Sequence, residues 1–90
     1  MTPHYRFPPA SAYALNRCLY LIKSDGAFRA RYAADPRAAA AELGLAEAEV
    51  AALVAADGDA LAALGAHPYL VFMAALRLRM DGAASSMEFF

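Results

Sequence analysis

The 90-residue chain holds few side chains able to make or break a bond. His4 and His67 are its only histidines, and Cys18 is its only cysteine. A protein-bound metal ion needs several close ligands, and no paired histidines four apart or paired cysteines are present. A covalent mechanism needs a nucleophile beside a base. Cys18 belongs to the series Leu15, Cys18, Leu19 and Ile22, whose three- and four-residue steps place all four on one helix face. A thiol in such a stripe is core, and a buried thiol is inert. His67 directly precedes Pro68 at a helix start, which makes it a cap or a surface residue. Contact with a partner's substrate or cofactor is its functional alternative. The acids Glu42, Glu47, Glu49, Asp57 and Asp59 read as a solvated face and helix-end charges, not an acid–base pair. No self-sufficient catalytic or metal site emerges, so the chemistry this chain serves is expected on a partner.

The elements that position these residues follow from composition. Apolar types make up 61% of the chain, but alanine alone supplies 25 residues. Alanine buries little area and is the best intrinsic helix former. The β-branched residues are only Thr2, Ile22, Val50, Val54 and Val71, too few for a sheet. The expected class is all-α, a compact bundle of about five to six helices. An extended arm over 1–10 carries three prolines, a helical domain spans 11–80, and a tail follows over 81–90.

Ser11 is read as the cap of a helix from Ala12 to about Lys23 that breaks at Asp25-Gly26. A short helix then runs to about Ala34, with Phe28 and Tyr32 one turn apart. Asp35-Pro36 starts the next, with a capping carboxylate and proline at the first helical position, and Gly44 ends it in a left-handed turn. Glu47 to about Ala56 follows, with Val50, Leu53 and Val54 inward. Asp59 is taken to cap a short helix ending at Gly65. Pro68 opens the last helix, to about Met80, with Leu70, Met73 and Leu76 inward and Phe72 or Met80 as further inward candidates.

Net charge is −1, and the arginines are interleaved with acids, which leaves no basic stripe for nucleic acid. The longest apolar run, Tyr69 to Leu76, is too short to cross a membrane. The single cysteine and the absence of a signal-peptide layout at Met1 to Tyr5 fit a cytoplasmic protein. Ten aromatic residues are more telling. Tyr5, Phe7, Phe89 and Phe90 lie in the terminal segments, where they either fold back over the core or are covered in an assembly.

Several short signatures occur in order: Tyr13-Ala14-Leu15-Asn16-Arg17, Phe28-Arg29-Ala30-Arg31-Tyr32, Asp35-Pro36, Gly44-Leu45, Leu61 to Gly65, and Tyr69-Leu70. Together, over about residues 12–82, they resemble the small, LigA-like subunit of extradiol ring-cleaving dioxygenases, the protocatechuate 4,5-dioxygenase family. The resemblance implies a non-catalytic, all-helical subunit of a hetero-oligomer. The large subunit would hold a non-haem Fe(II) on two histidines and a carboxylate, with no cofactor on this chain. The small subunit would cover that site and shape the pocket for a catecholic or aminophenolic substrate. Tyr13, Asn16, His67, Pro68, Tyr69, Phe89 and Phe90 are then the candidate partner or pocket contacts. At Gly65-Ala66-His67-Pro68 the chain departs from the Gly-Gly-Asn of the protocatechuate type, so the resemblance carries no particular substrate. LigA-like domains also lead split borosin precursors, which gives an alternative: a peptide N-methyltransferase as partner and residues 83–90 as the methylated segment.

Overall fold

The computed structural model describes residues 10–87, with side chains described over 12–82, so the terminal aromatics and His4 lie outside it. The described residues form six helices and no strand: α1 (Ala10–Ser24), α2 (Gly26–Ala34), α3 (Pro36–Glu42), α4 (Glu47–Ala55), α5 (Gly58–Ala63) and α6 (Pro68–Met87). Each helix packs on the next in the chain, and α6 closes back on α1 in the most extensive pairing. The result is a ring of short helices around one core.

Leu15, Cys18, Leu19 and Ile22 are all buried, so the α1 stripe faces that core as its spacing predicts. Phe28 and Tyr32 of α2 meet it, and Ala39, Ala40, Ala52, Ala66 and Ala74 complete it. The small residues let helices of six to nine residues approach closely enough to bury one another. That explains how an alanine-rich chain still packs: its alanines are spacers as much as helix formers.

The junctions are set by side-chain caps. Asp25 Oδ1 accepts from the N–H groups of Ala27 (3.0 Å) and Phe28 (3.1 Å) at the start of α2. Asp35 Oδ1 accepts from Ala38 N–H at 3.2 Å, with Pro36 at the first position of α3. At α4 the N-cap is Ala46, which has no side-chain oxygen, so only half a capping box forms: Ala46 N–H donates to Glu49 Oε1 at 2.8 Å.

Five expectations from the sequence are corrected. Helix α1 begins at Ala10, placing Ser11 inside its first turn; alanines at 10, 12 and 14 favour helix there. Asp57, not Asp59, caps α5, accepting from Ala60 N–H at 3.1 Å; this phase turns Leu61 into the core and leaves Asp59 in the first turn, near the positive end of the helix. Val54 is exposed because the buried face of α4 centres on Glu49 and Leu53, and the next residue lies about 100° away. Glu49 is accordingly buried, not solvated. Helix α6 runs seven residues past Met80, through Asp81 to Met87. Its core-facing residues are Leu70, Val71, Ala74 and Leu78; Met73 and Leu76 are half-buried, and Phe72 and Met80 are exposed. The extension is sustained by Ala83 and Ala84, which favour helix, and by the anchoring of Asp81 described below.

Gly44 and Gly65 both end helices with positive φ, +82° and +98°. A Cβ on Gly44 would meet nothing within 4 Å, whereas one on Gly65 would lie 3.0 Å from Ala12 Cβ. Gly44→Ala is therefore expected to cost about 1 kcal/mol, from the backbone alone. Gly65→Ala adds a steric clash, for about 2–4 kcal/mol in all. Urea unfolding midpoints of the two variants check this ordering, and equal midpoints would contradict the close approach of Gly65 to α1.

Candidate functional site

Four of the sequence-derived candidates are brought to one edge of the domain. Asn16 lies on α1 opposite the loop between α5 and α6, and both ends of its amide are engaged. Nδ2 donates to Ala12 O (2.9 Å) within α1 and to Gly65 O (3.1 Å) across to the loop. Oδ1 accepts from His67 N–H at 2.7 Å. Only an amide supplies donor and acceptor in this arrangement, so Asn16 reads as a clamp on the loop.

His67, held by that clamp, caps α6: its Nδ1 accepts from Tyr69 N–H at 3.1 Å. The capping role expected from its place before Pro68 is the one it has. Since Nδ1 is the acceptor, the proton of the neutral ring belongs on Nε2, and the exposed imidazole offers an N–H donor to its surroundings. The Tyr69 ring stands edge-on to it, with centroids 6.5 Å apart at 89°. Tyr13 lies one turn before Asn16 and is the most exposed large apolar residue described, at 70%. Phe89 and Phe90 lie outside the described residues.

Two charged residues are structural: Glu49, which the sequence placed on a solvated face, and Arg29, which it noted only among arginines interleaved with acids. Arg29, buried on α2, donates from Nε to Asp81 Oδ2 on α6 (2.7 Å) and from Nη1 to Ile22 O (2.7 Å) and Lys23 O (3.4 Å) at the end of α1. It satisfies α1 carbonyls that a helix end leaves unpaired and links three helices. The contact with Asp81 spans 52 positions, so no local pattern announces it. Glu49 was legible in principle: an acid three residues after a helix start is a capping signal even when the cap itself is alanine.

Among the described residues no group of three His, Cys, Asp or Glu could hold a metal ion, and no helix is long and apolar enough to cross a membrane. Burial pushes the Cys18 thiol from 9.0 up to about 11, which keeps it protonated and unreactive near neutrality. Burial likewise raises the Tyr32 phenol from 10.0 to about 12, with a contribution from the Cys18 charge.

The domain is helical throughout its described part and exposes aromatics beside a clamped histidine. The chain belongs to the LigA-subunit family of the aromatic-ring-opening LigAB dioxygenases, whose family model matches residues 15–88. No curated protein and no solved structure matches it.

Two outcomes follow from this geometry. Asn16→Ala removes the clamp and is expected to cost about 1–3 kcal/mol, read as a lowered melting temperature. The raised Cys18 and Tyr32 groups favour their neutral forms in the folded state. Their stabilisation is therefore complete below about pH 9 and is lost as the pH climbs through about 11 to 12. The loss amounts to about 2–3 kcal/mol per group. Urea midpoints measured at pH 8, 10 and 11 test this, with Cys18→Ala isolating the thiol's share. A flat profile would show the two groups to be solvated.

Proposed function

We propose that this chain is the non-catalytic small subunit of a two-component Fe(II)-dependent extradiol dioxygenase, and that its Asn16–His67–Tyr69 edge covers the large subunit's active site. The family match over residues 15–88 carries this reading. The arrangement of the edge supports it.

Among the described residues no group of three His, Cys, Asp or Glu could hold an iron ion, and in this reading the Fe(II) sits in the large partner subunit. What this chain supplies is shape, dryness and a hydrogen-bond donor. Tyr13, Tyr20, Tyr69, Phe72 and Met80 are each more than half exposed, an apolar load that suits an interface better than water. Excluding water from the mouth of a partner's site strengthens the electrostatic interactions inside it. His67 is positioned for a specific contact because three constraints fix it: the Asn16 amide holds its backbone, its own Nδ1 is engaged, and Pro68 follows. Its Nε2–H suits the oxygen of a catecholic or aminophenolic substrate. The N-methyltransferase alternative gains no support: α6 is helical through Met87, so much of the 83–90 segment has its amide groups committed to a helix.

Reconstitution with the cognate large subunit is the test. The two chains are expected to co-elute in gel filtration, and the complex to cleave its catecholic substrate faster than the large subunit alone. His67→Ala is expected to raise KM several-fold while the complex stays assembled. A large subunit that is fully active alone and ignores this chain overturns the proposal. A complex indifferent to His67→Ala removes the pocket role and leaves only the structural one.

A further inference from the structure

Inside the ring of helices lies a cleft of about 100 Å³, distinct from the Asn16–His67 edge. Its walls come from Leu19 and Ile22 of α1, Leu53 of α4, Leu61 of α5, and Val71 and Leu78 of α6, with Tyr32 of α2 also on the lining. Its exposed lining residues, Ala56, Gly58 and Ala75, place the mouth at the corner between α4 and α5, opposite the middle of α6. This corner and the His67 loop lie at opposite ends of α5.

Three observations say what the cleft admits. First, its size: at about 100 Å³ it is smaller than the closed apolar cavity of about 150 Å³ that takes a benzene molecule, and its open mouth means that a ring seated there would be only partly enclosed. Second, its lining is aliphatic except for Tyr32, which carries the lining's only side-chain hydroxyl. An anion would be stripped of water there with no cation in the lining to replace it, so charged molecules are rejected. Third, the lip is unusual. Ala56 takes φ +54° and ψ +42°, the only described non-glycine residue with positive φ. The nearby Gly58 does not take the left-handed conformation, although a side chain there would meet only open space. The left-handed turn is the C-cap of α4, with the Ala56 N–H donating to Ala52 O and Leu53 O, and it swings the chain away at the mouth. With Ala75 opposite, the lip consists of the smallest residues available, and any larger one would fill the mouth.

We propose that this cleft is a binding site for a small neutral one-ring molecule with a single hydrogen-bonding substituent, of the phenol type, seated on the apolar walls with its oxygen at the Tyr32 hydroxyl. Burial keeps that hydroxyl protonated and able to donate. The site belongs to the chain itself and does not depend on the small-subunit reading, so the two fail separately.

The test is a titration of the full isotope-labelled chain followed by amide NMR. Phenol is expected to shift the resonances of Ala56, Leu61 and Ala75 saturably in the millimolar range or below, whereas benzoate leaves them unchanged. Ala75→Leu is expected to keep the helical circular dichroism and melting temperature of the parent while weakening phenol binding at least ten-fold. Tyr32→Phe should retain toluene binding and lose the preference for phenol over toluene. Equal shifts with benzoate, or phenol binding that survives Ala75→Leu in a folded protein, overturn the proposal. So does a parent spectrum in which phenol changes nothing while the N-terminal arm shows contacts to the cleft, since the occupant is then the chain's own segment.

Discussion

The pairing of the first helix with the last organises the whole domain, and it is fastened at two points by polar side chains. Near the start of α6, the Asn16 amide bridges α1 to Gly65 and His67. Further along, Arg29 joins the last carbonyls of α1 to Asp81. The two fasteners come in the same order along both helices, so α6 runs beside α1 in the same direction. Apolar burial between them supplies the attraction, which is non-directional and would tolerate sliding. Hydrogen bonds to backbone carbonyls do not tolerate it, so the fasteners set the register. That register places His67 beside Asn16.

The intervening helices are too short to be stable alone, since isolated helices below about 12–15 residues are marginal in water. Each is instead started by a side chain that satisfies its first N–H groups: Asp25, Asp35, Glu49 and Asp57 for α2 to α5, and His67 for α6. In α6 the cap belongs to the same loop that carries the exposed imidazole. Fold and candidate site thus meet at His67 as they do at Asn16, and a change at His67 touches helix initiation and surface chemistry together.

Much of this was legible in the sequence because it is local. Asp35-Pro36, Gly44, Gly65 and the Leu15–Ile22 stripe act within one or two turns, and they mark the helices they predict. The misreadings have equally local causes. Asp57 and Asp59 are both competent caps, and only the need to bury Leu61 selects the first. Val54 shares a helical spacing with Val50, but a buried carboxylate shifts the face of α4. The polar contacts that close the ring were hidden for a different reason: Asn16 with Gly65 and Arg29 with Asp81 join positions about fifty residues apart. Nothing in the neighbourhood of either residue indicates its partner. The candidate edge was reached through the ordered signatures of a resemblance; the cleft, walled by residues from five different helices, left no pattern along the chain.

A ring that closes only between its first and last helices has a consequence for biosynthesis. While the chain leaves the ribosome, α1 to α5 emerge with the central stripe of α1 still uncovered, because the helix that covers it is made last. Domains with such closure tend to acquire their cooperative structure only after most of the chain is free. Nascent chains would then expose Leu15, Leu19 and Ile22 until synthesis passes Asp81. For that interval the growing polypeptide exposes apolar surface of the kind chaperones recognise, and the His67 cap of α6 forms only once that last helix is in place.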